Sequence, residues 1–417
     1  MGFPLVKLIM FKEAGAKSEI EFFINYTSRH MKTNTYLKPI LRSFNTGLMV
    51  LTAGIFISAC GGDSRSPANQ ERDSTMSDTV MSANNSPNSI KPAGPAPDWA
   101  PNIKPEMQAV IEKLLSYKDK PIPELTAVEA RKNHTPTDAV MDLIKENNIA
   151  LPPAKVDTSG KNIPVAGGNI HLRIYTPADG KSSYPVIVYY HGGGFVIADL
   201  DVYDASARGL SEQVGAVVVS VAYRLAPEHK FPTAHNDAFA AYSWVVKNAA
   251  SIKGDLKKIA LAGESAGGNL ATNVSIMARD KGLQLPVHQL LVYPVASSDM
   301  NSPSYQKHAN AKPLDKAMMG WFVKNYLNNM SEAKNPMINL VQANLKNLPP
   351  TTIITAEIDP LQSEGALLAE KLKAANVSTE LKNYDGVTHE FFGMAAVVPQ
   401  AKDAQAYAAS RLKEALK

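Results

Sequence analysis

Residues 261–269 read Leu-Ala-Gly-Glu-Ser-Ala-Gly-Gly-Asn, a serine flanked at two positions on each side by glycine as an apolar run ends. The preceding KKIALAG has the composition of a strand, and SAGGNLATNVSIMARD has helical spacing. Ser265 therefore falls at a sharp strand-to-helix turn. Such a turn brings neighbouring backbones together at Gly263 and Gly267, where a Cβ would obstruct, and pushes the serine hydroxyl out at the carboxyl end of a sheet. The helix start also places the positive end of a dipole beside any negative charge that develops there. A Gly/Ser-rich stretch that merely caps a helix would look the same, so the motif needs a second feature.

That feature lies earlier in the chain. Tyr189–Phe195 read YYHGGGF directly after the apolar run PVIVYY. A histidine followed by Gly192, Gly193 and Gly194 suits a loop that turns backbone N–H groups inward toward an oxyanion. A serine so placed requires a base, and in this arrangement the acid and the histidine follow the nucleophile in the chain. Of nine histidines only His288, His308 and His389 come after Ser265. His288 opens a strand and His308 sits in an inserted segment, whereas His389 lies in the DGVTHEFF loop before the last helix. Asp359, at the carboxyl end of TTIITAE, is the acid favoured by position, with Asp385 as competitor. Asp385 reads more naturally as a turn residue beside Gly386.

Outside these motifs, continuous runs such as VIVYY and AVVVSV lack polar alternation and suit a sheet covered on both faces. From Pro164 onward strand and helix signals alternate, which predicts an α/β fold with a mainly parallel, doubly wound sheet. Helical patterns also occur at 104–149, and about fifty residues between LLVYPV and TTIITAE read as an insertion.

The 417 residues carry 43 Lys and Arg against 39 Asp and Glu. The excess sits in residues 1–59, with seven basic and three acidic residues, so the remainder is neutral and offers no basic face for nucleic acid. Residues 47–59, GLMVLTAGIFISA, form an apolar stretch behind Lys32, Lys38 and Arg42, the layout of a secretory signal. Cys60, the single cysteine, excludes an intrachain disulfide. The Ile57–Cys60 tetrad resembles the bacterial lipoprotein signal, which implies lipidation of Cys60 and attachment to the cell envelope. With Gly61 next, the resemblance implies the outer membrane, and Met31 is the expected start. The expected organisation is a signal region over 1–59, a disordered tether over 60–101 and a catalytic domain over 102–417.

Taken together, HGGGF at 191–195, GESAGGNLA from 263, LLVYPV from 291, AEIDPLQSEG from 356 and GVTHEFF from 386 resemble the hormone-sensitive-lipase-like esterases, bacterial family IV of the α/β-hydrolase fold. The resemblance spans roughly residues 104–417. It implies an eight-stranded sheet with a helical cap from about 102–150 and part of 298–345, and no metal or organic cofactor. It further implies Ser265 as nucleophile with Asp359 and His389. The oxyanion hole would come from the amides of Gly193, Gly194 and Ala266, with His191 shaping the loop. Glu264 stands where relatives often carry aspartate, and Glu390 follows His389 where glycine is usual. The implied activity is hydrolysis of short- to medium-chain acyl esters through an acyl-enzyme. The alternatives are an amidase or deacetylase using the same site, and a non-catalytic ligand receptor. Relatives often dimerise through the last strand and helix, so a homodimer is an open expectation.

Overall fold

In the computed structural model, the residues described are 90–417. The signal region, Cys60 and the first part of the expected tether lie outside them. The Val/Ile/Leu runs become strands: β1 (Val156–Val165), β2 (Gly168–Pro177), β3 (Tyr184–Tyr190), β4 (Val217–Ala222), β5 (Gly254–Glu264), β6 (Gln289–Val292), β7 (Thr351–Ile358) and β8 (Thr379–Thr388). They form one sheet in the order β1-β2-β4-β3-β5-β6-β7-β8. The pairs β1–β2 and β2–β4 are antiparallel, and every pair from β4 to β8 is parallel. The expected mainly parallel, eight-stranded α/β-hydrolase sheet is thus present.

Helices follow in the order α1 (Pro105–Ser116), α2 (Ala127–Ala130), α3 (Pro136–Glu146), α4 (Asp204–Val214), α5 (Thr233–Asn248), α6 (Ala266–Asp280), α7 (Pro303–Lys307), α8 (Lys316–Tyr326), α9 (Gln362–Ala374) and α10 (Pro399–Ala415). The two faces of the sheet bury separate cores. Along β3, Val186, Val188 and Tyr190 join α5, α6 and α9 on one side, while Ile187 and Tyr189 join α4 and α10 on the other. This alternation explains the absence of polar positions in VIVYY: both faces are covered.

Two sequence readings need correction. The alternating strand and helix signals in the sequence begin only at Pro164, whereas β1 already starts at Val156; it lies at the sheet edge with six consecutive exposed positions, Asp157–Asn162, and so carries no apolar pattern. The tether does not run to residue 101 either. Ile90 and Ala100 are buried, and Glu112 of α1 accepts hydrogen bonds from the Ala93 and Gly94 amides at 2.6 and 3.2 Å. Residues 90–101 therefore belong to the folded body although they form neither helix nor strand.

The cap comes from two distant segments. α1–α3 and α8 meet over the carboxyl end of the sheet, where the Trp321 indole N–H donates to the Leu125 carbonyl at 2.8 Å. α2 and α3 start with reciprocal capping boxes, Thr126 with Glu129 and Thr135 with Asp138. Among the described residues no helix is long and apolar enough to cross a membrane.

Candidate active site

Ser265 joins β5 to α6 with φ 55° and ψ −118°, a conformation costly for any residue with a side chain. What imposes it is close packing on both sides. A Cβ on Gly263 would lie 2.1 Å from the Gly267 carbonyl oxygen, and one on Gly267 would lie 1.9 Å from that of Tyr190. The turn is also tied down by the Ser265 amide donating to Val292 at 2.9 Å, and by its carbonyl accepting from Val295 at 3.1 Å.

β8 ends at Thr388, so His389 emerges beside Ser265, and β7 ends at Ile358, one residue before Asp359. The His389 Nε2 lies 3.0 Å from the Ser265 Oγ, and its Nδ1 lies 2.7 Å from the Asp359 Oδ2. All three side chains are buried. The other Asp359 oxygen accepts from the Leu361 amide at 2.9 Å, which fixes the carboxylate plane. A carboxylate accepts only, so Nδ1 donates to it and Nε2 is left to accept from the serine hydroxyl. Burial lowers the His389 pKa, but Asp359 and then Glu390 outweigh it, leaving the imidazole easier to protonate than usual. The competitor Asp385 is exposed within β8 and accepts from the Asn383 amide at 2.9 Å, away from the histidine.

The glycine loop brings its backbone to the same place. Gly193 and Gly194 take φ values of +91° and +60°. A Cβ on Gly193 would lie 2.1 Å from the Ile197 carbonyl oxygen, and one on Gly194 would lie 2.3 Å from the Phe322 ring. Among the described residues, the amides of Gly193, Gly194 and Ala266 have no hydrogen-bond acceptor. His191 is stacked on Tyr223 with ring centroids 4.3 Å apart, and its Nδ1 lies 2.8 Å from the Gly192 carbonyl oxygen. The Tyr223 hydroxyl reaches the His191 and Gly192 carbonyls at 2.8 and 3.0 Å. Burial pushes the His191 imidazole down to about 4, so it is a neutral donor at physiological pH. Glu264 points away from the serine hydroxyl and accepts from Tyr189 and Tyr293 at 2.6 and 2.5 Å. Burial raises its carboxyl to about 7.

Ser265, Gly193, Gly194 and His389 open onto a cavity of about 570 Å³, lined mainly by apolar residues of the cap, including Leu114, Ile122, Leu314, Met319 and Phe322. Sequence reasoning missed two side chains that organise it. Arg131 of the cap donates to the Val196 and Ala226 carbonyls at 2.8 and 2.6 Å and forms a paired contact with Glu228, tying the cap to the glycine loop. Phe322 covers Gly194. A lone arginine and a phenylalanine in an apolar helix carry no local signal of such roles. The remaining late histidines stay apart: His288 contacts Thr352 at 3.0 Å and His308 ends α7.

A family profile described as alpha/beta hydrolase fold matches residues 187–393. The carboxylesterase NlhH of Mycobacterium tuberculosis is 42% identical over 252 residues, covering 60% of this chain and 79% of that protein. The chain belongs to the hormone-sensitive-lipase-like branch of the α/β-hydrolase family. Ethyl acetate hydrolase of Pseudomonas putida is 30% identical over 308 residues, 73% of this chain and 95% of the relative. Among solved structures, the hyperthermophilic esterase of Pyrobaculum calidifontis superimposes with a TM-score of 0.69 at 36% identity, over 75% of this chain and 98% of that one.

Proposed function

We propose that this α/β-hydrolase is a serine carboxylesterase that transfers the acyl group of short- to medium-chain esters to Ser265 and then to water. The observation that carries the reading is the contact of 3.0 Å between Ser265 and His389, residues 124 apart in sequence, at the floor of an apolar cavity. The relatives named carboxylesterase and ethyl acetate hydrolase support ester over amide substrates.

In the first half-reaction the Ser265 Oγ attacks the ester carbonyl carbon as His389 Nε2 takes its proton. Asp359 holds the imidazole tautomer and stabilises the imidazolium. The carbonyl oxygen becomes an oxyanion facing the amides of Gly193, Gly194 and Ala266, where it meets donors with no competing partner. Collapse of the tetrahedral intermediate breaks the ester C–O bond, and His389 returns the proton to the departing alcohol. Water then attacks the acyl-enzyme by the same sequence in reverse, with His389 again as base. A cavity of about 570 Å³ accommodates an acyl chain of modest length, so turnover of p-nitrophenyl esters from acetate to palmitate should peak at short or medium chains. Absence of turnover on every member of that series would overturn the reading.

We further propose that the domain is held at the cell envelope, in the outer membrane, through lipid on Cys60. The apolar stretch ending at Ile57-Ser58-Ala59-Cys60 supports this, and two or more acyl chains suffice for durable anchoring. Cys60→Ala should abolish palmitate incorporation and release the enzyme from membranes; unchanged membrane association would refute it. A homodimer through β8, whose outer edge pairs with no other strand of the described chain, is tested by light scattering.

A further inference from the structure

Glu390 occupies a position whose backbone suits glycine. Its φ is +71° in the left-handed region, yet it carries a long acidic side chain directed inward. The Oε1 lies 3.8 Å from His389 Nε2, the nitrogen that faces Ser265, and accepts a hydrogen bond from the Tyr203 hydroxyl at 2.6 Å. His389 thus has a carboxylate on each side: Asp359 at Nδ1 and Glu390 near Nε2. Glu390 and Tyr203 also form a wall between the substrate cavity and a second cavity of about 260 Å³, which runs beneath α3 and α4.

We propose that Glu390 is a positioning residue for acyl transfer, a second carboxylate that stabilises the His389 imidazolium from its Nε2 side and sets the pH range of activity. The inference rests on the esterase reading of Ser265 and His389. Opposite charges about 4 Å apart in a partly buried site interact strongly enough to decide a protonation equilibrium. The charge is better accommodated on Glu390 than on the neighbouring Glu264. Glu264 is fully buried, whereas the Glu390 side chain keeps 19% exposure toward the two cavities. Tyr203 donates to the ionised form and so favours it.

The titratable groups around Glu390 come from several elements. His389 adjoins it, Asp359 follows β7, and Glu264 ends β5; Tyr189 lies on β3, Tyr203 precedes α4, Tyr223 follows β4 and Tyr293 follows β6. Burial is the largest influence and leaves the Glu390 carboxyl above its ordinary range; His389 and then Tyr203 act against that rise, and Asp359 adds to it. Among the described groups that act on the Glu390 carboxyl, His389 is the one that can become a cation; Arg208 lines the second cavity but pairs with Asp204. The acids Asp359 and Glu264 oppose the charge on Glu390, and the tyrosines supply dipoles.

The test is the pH profile of kcat/KM on p-nitrophenyl butyrate for the wild-type enzyme, Glu390→Gln and Glu390→Gly. The acid limb of the profile follows His389. Glutamine keeps the shape and a hydrogen-bonding oxygen for Tyr203 but loses the charge, and glycine fits the backbone without any side chain. Both variants should move the acid limb down by about one pH unit and lower the plateau about tenfold. A purely structural role for Glu390 would change the melting temperature and leave the limb in place. An unmoved acid limb in folded Glu390→Gln and Glu390→Gly overturns the inference while leaving the esterase reading standing. Loss of the esterase reading itself is seen separately, as full activity in Ser265→Ala.

Discussion

Gly193→Ala probes the oxyanion loop through a single methyl group. At φ +91° the added Cβ would lie 2.1 Å from the Ile197 carbonyl oxygen, 2.8 Å from the Ile197 carbonyl carbon and 2.9 Å from the Ala198 Cβ. These are mostly backbone atoms of a tight turn, so no side-chain rotation relieves the contact. The turn is closed by the Val196 and Ile197 amides donating to the Gly193 carbonyl at 3.0 and 2.9 Å, and it must open. Opening should rotate the 193–194 amides away from the point above Ser265 proposed for the oxyanion. Losing one such donor costs about 100- to 1,000-fold in kcat, equivalent to about 2.7–4 kcal/mol of transition-state stabilisation. Backbone strain should lower global stability by a further 1–3 kcal/mol, roughly. Gly180→Ala is the control: φ is +77°, but a Cβ there meets nothing within 4 Å. That variant should lose some stability and no activity. Initial rates on p-nitrophenyl butyrate, with thermal melts on the same samples, separate the two effects. A folded Gly193→Ala enzyme with wild-type kcat would refute the oxyanion assignment.

Three further outcomes follow from the same geometry. Asp359→Asn should keep the fold and lower kcat about 10,000-fold by favouring the wrong histidine tautomer, measured as steady-state turnover. Phe322→Ala should open the cavity beside Gly194 and raise kcat/KM for longer acyl esters relative to butyrate, roughly fourfold for each methylene newly accommodated. Stability should peak near about pH 6 in melts from acid to alkaline buffer. Burial raises Glu264 to about 7 and Glu364 to about 8, so their contribution is complete below the usual carboxyl pKa and lost as pH rises through those values. Burial lowers His191, His235 and His288 to about 4, so the unfolded chain gains protons first and stability falls as pH drops below about 6.5. A melting temperature that climbs steadily toward alkaline pH would contradict this.

The parts of the site legible in the sequence are those in which local backbone geometry dictates residue type. Gly263, Gly267 and the triplet from Gly192 stand where a Cβ would meet another backbone or side chain within 2.9 Å. The buried strands were legible for a related reason: coverage on both faces leaves unbroken apolar runs. β1 was not, since an exposed edge strand has only its hydrogen bonds to β2 to define it. Ile90 and Ala100 stood as isolated apolar residues in a polar stretch, and only the surface they meet makes them core. Arg131 and Glu390 were opaque because their partners, Val196, Ala226 and Glu228 for one and Tyr203 for the other, are distant in sequence. Glu390 registered only as a departure from glycine, and its distance to His389 gives that departure a physical meaning.

The most direct test of the account is covalent labelling with a fluorophosphonate followed by peptide mass spectrometry. One adduct is expected, on the Ser265 hydroxyl, absent from Ser265→Ala and strongly slowed in His389→Ala, with ester hydrolysis lost in parallel. Labelling at another serine, or undiminished hydrolysis by Ser265→Ala, would contradict it.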